Sequence, residues 1–433
     1  MKQLPRALLA VSVAVIAVIG TATLIEAVQP AYGAEEGEQD RQQTRHLQSL
    51  SKPVYDIINK AQMALDMKMY DEAIKLANDV LERKGLNEYE QVIAYQVMGF
   101  AQYSKGSNKA VISTFEKILS IAATAKGLPE GLAEGVQYNL AQLYIQEGQY
   151  DKGIAMVKKW LEDAQNPGPD PYILIGSAYA QKDDYKAAIP YFEKGIEVAK
   201  TQGKDIQQSW YQNLFAMYVQ TNQYTKAEPI IELLCEKWPS KDYLLNLSSL
   251  YGMMKREKDM LGILDVMYRK NMFNTSDQVV QLSQLWQYHD APYRGAVILK
   301  KGMDDGIVEK TSKNYESLAN AYVSASEVPK AIPYLEKAAS LAKDGDLYVR
   351  LGEAYIEDQK WDKAASALSS AFDKGGLDNA NQAVYLKGIA EYNQGKLNDA
   401  KRSFAQCQKD KNTGKSCQQY LLVIRNKEKA QGG

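Results

Sequence analysis

Histidine is almost missing from this 433-residue sequence: His46 and His289 are the only two, and they lie far apart. That scarcity argues against a histidine-rich metal centre and against a His-based general acid–base pair. Cysteine is equally sparse, with Cys235, Cys407 and Cys417, and none stands where a lipid-anchored N-terminus would need one. No excess of charge exists either, because 52 Lys plus Arg meet 53 Asp plus Glu for a formal net charge of −1. A nucleic-acid binder needs a basic surface to displace counterions, so that class of partner is not expected. The nucleotide-binding, zinc-protease, serine-hydrolase and dithiol signatures (G-x-x-x-x-G-K-[ST], H-E-x-x-H, G-x-S-x-G and C-x-x-C) do not occur. The carboxylates are interleaved with lysine as on a solvated helix surface. No catalytic centre, cofactor or small-molecule substrate is expected. Phenylalanine and tryptophan are scarce too, at 7 and 5, but tyrosine reaches 29. A count that lopsided calls for a repeated structural position.

The N-terminus reads as an export signal. Lys2 and Arg6 precede an uncharged apolar stretch from Ala7 to Ile25, and Ala31-Tyr32-Gly33 offers a small-x-small exit before Glu35 and Glu36. Residues 1–33 are assigned as the signal, with cleavage after Gly33. The stretch is also near the lower length limit of a membrane span, so an uncleaved inner-membrane anchor is the competing reading. Both readings carry the rest of the chain to the periplasm. Residues 34–52 form a polar leader.

From residue 53 onward one unit recurs. Tyr172, Ile175-Gly176, Tyr179, Tyr185, Ala188 and Phe192 form its clearest copy, and Tyr348, Leu351-Gly352, Tyr355, Trp361, Ala364 and Leu368 repeat it. A small residue marks each second helix at Ala73, Ala110, Gly153, Ala188, Ala227, Gly295, Ala331, Ala364 and Ala400, with Met260 the one exception. The mean spacing is about 36 residues, near the 34 of the tetratricopeptide repeat. The pattern resembles that family. The resemblance implies an all-α solenoid of about ten helix-turn-helix repeats over residues 53–408, with residues 409–433 as a capping helix of polar outer face and a tail. Residues 123–132 read as extra helix or loop. Tyrosine suits such packing because its hydroxyl can reach a polar partner.

The family resemblance places the concave, partner-binding face on the first helices. Its positions in this chain include Tyr138, Gln142, Gln146, Ser177, Gln181, Gln212, Gln220, Ser249, Glu316, Asn320, Ser324, Glu353 and Tyr392. The lysines of the carboxylate-clamp type are missing here, so that activity does not carry over. Amides and phenols suit an extended peptide backbone. Cys407 and Cys417 either bridge across the loop before the last helix or remain two buried thiols; an oxidising compartment favours the bridge. Cys235 reads as a small core residue, and the methionines from Met253 to Met272 read as gap-fillers of a degenerate repeat.

A narrower resemblance covers the leader Arg41-Gln42-Gln43-Thr44-Arg45, the first unit Met69-Tyr70-Asp71-Glu72-Ala73, and Asp410-Lys411-Asn412 before Gln418-Gln419-Tyr420-Leu421. These segments are similar to the periplasmic tetratricopeptide component of TonB-type energy-transducing systems in proteobacteria. That likeness implies a non-enzymatic adaptor to the TonB–ExbB–ExbD machinery, whose partners are TonB- or ExbD-type proteins or outer-membrane transport components importing iron-siderophore or haem. Membrane association would come only through partners or an uncleaved N-terminus. A periplasmic scaffold for outer-membrane assembly or polysaccharide export is the alternative.

Overall fold

The computed structural model describes residues 49–129 and 131–431. The signal and most of the leader lie outside the described residues. Among the described residues there are helices and no strands, and no helix is long and apolar enough to cross a membrane.

The chain divides into two compact units at Trp238/Pro239. The first holds five helical hairpins: α1 (Lys52–Asp66) with α2 (Tyr70–Leu81), α3 (Glu88–Ser104) with α4 (Asn108–Ala122), α5 (Leu132–Gln146) with α6 (Tyr150–Asp163), α7 (Asp170–Gln181) with α8 (Tyr185–Thr201), and α9 (Gln208–Gln220) with α10 (Tyr224–Lys237). The second holds five more and a final helix: α11 (Lys241–Met253) with α12 (Glu257–Arg269), α13 (Ser276–Tyr288) with α14 (Pro292–Asp304), α15 (Ser312–Ser324) with α16 (Val328–Leu341), α17 (Asp346–Glu357) with α18 (Trp361–Lys374), α19 (Ala380–Asn393) with α20 (Leu397–Cys407), and α21 (Gly414–Gln431). Among the described residues between α4 and α5, 123–129 and 131 form turns and loop with no added helix.

Every hairpin turns on one residue of positive φ. Glycine fills that place at Gly106, Gly148 and Gly395, and Asp183 and Asn222 fill it at two others, as their tolerance of the left-handed region allows. Lys68, Ser326 and Gln359 adopt it without that tolerance, so side-chain type alone does not mark those turns.

Within a hairpin the helices approach through small residues. A Cβ added at Gly99, Gly176 or Gly388 of the first helix would come within 2.6–2.7 Å of the Phe115, Phe192 or Phe404 ring, which lies over that glycine from the second helix. The fourth residue of the second helix is small in return: Ala73, Gly153, Ala188, Ala227, Gly295, Ala331, Ala364 and Ala400 are all buried. Two corrections apply. In the second hairpin that place belongs to buried Val111; Ala110 is one residue early and half-exposed. Met260 does occupy it in the sixth, and Gly252 makes room, since a Cβ there would stand 3.2 Å from Met260 Sδ.

Between hairpins tyrosine does the joining. Tyr144, Tyr218 and Tyr355, each third from the end of a first helix, donate their hydroxyls to Glu116, Glu193 and Glu336, each the ninth residue of the preceding second helix. Lys152, Lys226 and Lys363 lie over the same three rings, 5.3–5.6 Å from their centroids. At the α7 junction the charge is reversed, and Lys158 donates to Tyr179 at 3.0 Å. At the α13 junction Trp286 replaces tyrosine and offers no oxygen. Arg294 bridges instead, 4.0 Å over the indole and paired to both Asp265 oxygens at 2.7 and 2.9 Å.

The C-terminal end is closed by α21. Cys407 and Cys417 form a disulfide with Cα atoms 6.1 Å apart, and Tyr420 stacks on Phe404 at 4.6 Å. Asp410 organises the intervening loop. Its carboxylate accepts from the Asn412 and Thr413 amides, the Thr413 hydroxyl and the Asn381 side chain, and these bonds hold its pKa down at about 2. The outer face of α21 is less polar than expected of a cap, because Leu422 and Val423 are exposed.

Candidate functional site

Three successive first helices of the first unit end in a common residue. Gln146, Gln181 and Gln220 close α5, α7 and α9, all three exposed. Because each stands at the same place in consecutive hairpins, stacking sets three primary amides in one row, each with two N–H donors and a carbonyl acceptor. One to two turns back lie Gln142, half-buried, and Gln212, exposed. Tyr138 is partly buried, packs on Trp160 at 5.1 Å and is hydrogen-bonded to Gln142. Burial pushes its phenol above the ordinary range and the Asp170 charge adds to the rise, while the Gln142 bond opposes it. Ser177 is buried and does not join this surface.

In the second unit Glu316 and Asn320 lie one turn apart on α15, and a single side chain from α17 ties them together. Arg350 pairs through Nη1 with Glu316 and donates through Nη2 to the Asn320 side-chain oxygen. Glu353, one turn beyond Arg350, is exposed; desolvation pushes its carboxyl up and Arg350 opposes that rise. Arg350 is not among the expected residues, which in this helix include only Glu353. A long guanidinium one hairpin on from an acidic and an amide residue spaced one turn apart is the signal that could have found it. Ser249 and Ser324 are exposed. Tyr392 belongs elsewhere: it packs edge-on to Tyr420 at 5.5 Å beneath Lys427, as part of the seat for α21.

In the first unit, α4, α5 and α6 line an open depression of about 560 Å³, with Leu119, Ala122, Ala133, Met156, Lys152 and Lys159 among its lining residues. Nothing in the sequence pattern singled it out. Cys235 is a half-buried free thiol whose pKa burial raises, with Glu232 adding to the rise, the reverse of what a nucleophile requires. Among the described residues no group of three or more His, Cys, Asp or Glu side chains is placed to hold a metal ion.

Tetratricopeptide repeat family models match residues 135–162 and 169–202 in the first unit, and 316–376 and 349–406 in the second. These spans are tetratricopeptide repeats. The hairpins outside those spans share the turn residue of positive φ, at Lys68, Gly106, Asn222, Lys255 and Asp290. A tetratricopeptide repeat protein from Parabacteroides merdae ATCC 43184 is similar at 15% identity over 71% of this chain and 100% of that one, with a TM-score of 0.37. MamA is similar at 17% identity over 42% and 97% of the two chains, with a TM-score of 0.31. The TPR2AB domain of yeast Sti1, solved in complex with pHSP90, is similar at 12% identity over 68% and 99%, with a TM-score of 0.32. No curated protein matches. In tetratricopeptide repeats the stacked helices supply an extended surface; on the first helices the first unit carries the exposed amides, and the second unit carries the Arg350 bridge.

Proposed function

We propose that this protein is a non-enzymatic periplasmic scaffold that holds an extended segment of a protein partner along its first-helix faces, and that it serves TonB–ExbB–ExbD-dependent uptake across the outer membrane. The row Gln146–Gln181–Gln220 carries the first part of this reading. Amides repeated at one place per hairpin match the alternating donors and acceptors of a peptide backbone, and they impose no charge on the partner. The exported location is supported by the apolar N-terminal segment with its small-x-small exit and by the Cys407–Cys417 bridge, a bond that persists in oxidising compartments. The TonB link rests on the likeness of the leader, first unit and final loop described above.

The test is in vivo photo-crosslinking from Gln142, Gln212, Asn320 and Glu353, followed by recovery of the chain from solubilised membranes. Adducts with TonB, an ExbD-type protein or an outer-membrane receptor are expected. Adducts with assembly or export components would overturn the TonB assignment and leave the scaffold. Partners recovered with no adduct from these four positions would overturn the first-helix surface.

A further inference from the structure

Methionine is used here as a packing residue almost everywhere. Met98, Met217, Met267 and Met303 are buried, and Met156, Met254, Met260 and Met272 are half-buried. Only four of the described methionines are exposed, and three of those fall within seven residues: Met63 at 53%, Met67 at 67% and Met69 at 51% exposure, against 36% for Met253. An apolar side chain held in water gains nothing from burial, so three within seven residues call for another reason.

The backbone brings them together. Helix α1 ends in a Schellman turn: the Lys68 amide donates to the Leu65 carbonyl at 2.9 Å and the Met69 amide to the Ala64 carbonyl at 2.7 Å, with Lys68 at φ 60°. That turn folds Met69 back onto the last turn of α1. There Met63 and Met67 stand four apart on one face, where Cβ atoms are about 5–6 Å from each other. The same turn closes the next four hairpins, and the place of Met69 is held there by Ser107, Gln149, Asp184 and Gln223. Polar residues are therefore the rule at the place of Met69, the place of Met63 is held by the buried Ala101, Leu143, Ala178 and Met217, and exposed thioethers occur at this corner only in the first hairpin of the unit.

We propose that Met63, Met67 and Met69 form a three-thioether site for a soft monovalent metal ion, Cu(I), for which Ag(I) is a redox-stable stand-in. Thioethers are soft neutral donors, so the site selects Cu(I) and refuses Mg²⁺, Ca²⁺ and Zn²⁺, which take oxygen, imidazole or thiolate. They carry no proton to displace. Binding is therefore insensitive to pH through the range where histidine and thiolate sites release their metal. Asp66 and Lys68 flank the site with opposite charges, and Asp71 is already engaged by Lys105. The site is separate from the first-helix amide row and does not depend on the partner reading.

The experiment titrates Ag(I) into the full chain labelled with ¹³C-methyl methionine. A Cys235→Ser background removes the one free thiol. One equivalent is expected to shift the Met63, Met67 and Met69 methyl signals together while the Met253 signal stays in place, at pH 7 and equally at pH 5. Cu(I) held under ascorbate is expected to pass to the chain from a weak chelator, and M63L/M67L/M69L to lose that uptake with its helical signal intact. No methyl shift, shifts spread evenly to Met253, or full uptake by the triple variant would each overturn the proposal. Should the triple variant fail to fold, the methyl shifts of the parent chain decide.

Discussion

The hydroxyl of Tyr218 donates to the carboxylate of Glu193 on the preceding hairpin, and Lys226 reaches the same oxygen at 3.3 Å while lying over the Tyr218 ring. Two of these three groups are well exposed, Lys226 at 55% and Glu193 at 40%, so their ion pair is screened by water and adds little. The buried phenol ring fills the joint, and its hydroxyl needs one acceptor to be covered without loss. Tyr218→Phe is expected to cost about 0.5–1.5 kcal/mol, the net worth of one such bond. Glu193→Gln, which leaves an acceptor in place, is expected to cost less. Thermal unfolding of the two variants distinguishes the outcomes.

Alkaline pH acts on the same joints. Burial, with the bond to Glu116 and its charge adding, pushes the Tyr144 phenol up to about 12 from an ordinary value of 10. A raised folded-state value favours the neutral phenol. Its contribution is complete below pH 10 and is lost as pH rises from 10 through 12. Tyr144→Phe, which cannot ionise, is expected to show a shallower fall in melting temperature over that window than the parent chain.

Two glycines in adjacent hairpins of the second unit separate packing from propensity. A Cβ at Gly295 would stand 2.5 Å from the Ser283 backbone oxygen, and the Gly295 carbonyl already accepts the Ser283 hydroxyl at 2.8 Å. Gly295→Ala is expected to destabilise by about 2–3 kcal/mol, because the obstacle is backbone and cannot swing away. Gly262 has nothing within 4 Å of its would-be Cβ and lies inside α12. Gly262→Ala is expected to stabilise by up to about 1 kcal/mol through helix propensity alone. Chemical denaturation followed by circular dichroism tests both signs.

The cap depends on one covalent and one ionic device. Reducing the Cys407–Cys417 bond, which closes a loop of separation 10, is expected to weaken α21 by about 2–3 kcal/mol. Amide hydrogen exchange over residues 414–431 would report that loss before the hairpins melt. Asp410→Asn is expected to loosen residues 410–413 at neutral pH. In the parent chain the carboxylate's contribution is present above its ordinary value of 3.8 and disappears as pH falls toward 2.

The amide row makes a cleaner test than any core change. Gln146→Ala, Gln181→Ala and Gln220→Ala combined are expected to leave the melting temperature nearly unchanged, since exposed substitutions of this kind fall within about 0.5 kcal/mol each. Partner adducts from Gln142 and Gln212 are expected to disappear. Adducts of undiminished yield would remove the row from the binding surface.

The sequence alone determined the helical hairpin and its places. Apolar residues at helical spacing, a small residue at the close approach and a tyrosine at the joint recur because each hairpin must bury the same face against its neighbour. Positions such as Ala188, Gly176 and Tyr179 are therefore legible in any one copy. The tertiary structure decided what a single copy does not contain. Val111 takes a place that spacing gave to Ala110, because the helix start, not the residue count, sets the register. Arg350 spans Glu316 and Asn320 because a long side chain answers to space across two hairpins. Tyr392 packs edge-on against Tyr420 of the last helix, and one left-handed residue, Lys68, turns the backbone at Met69 back toward the end of α1. Periodicity encodes the contacts that repeat; contacts made once depend on which residues the chain happens to bring together.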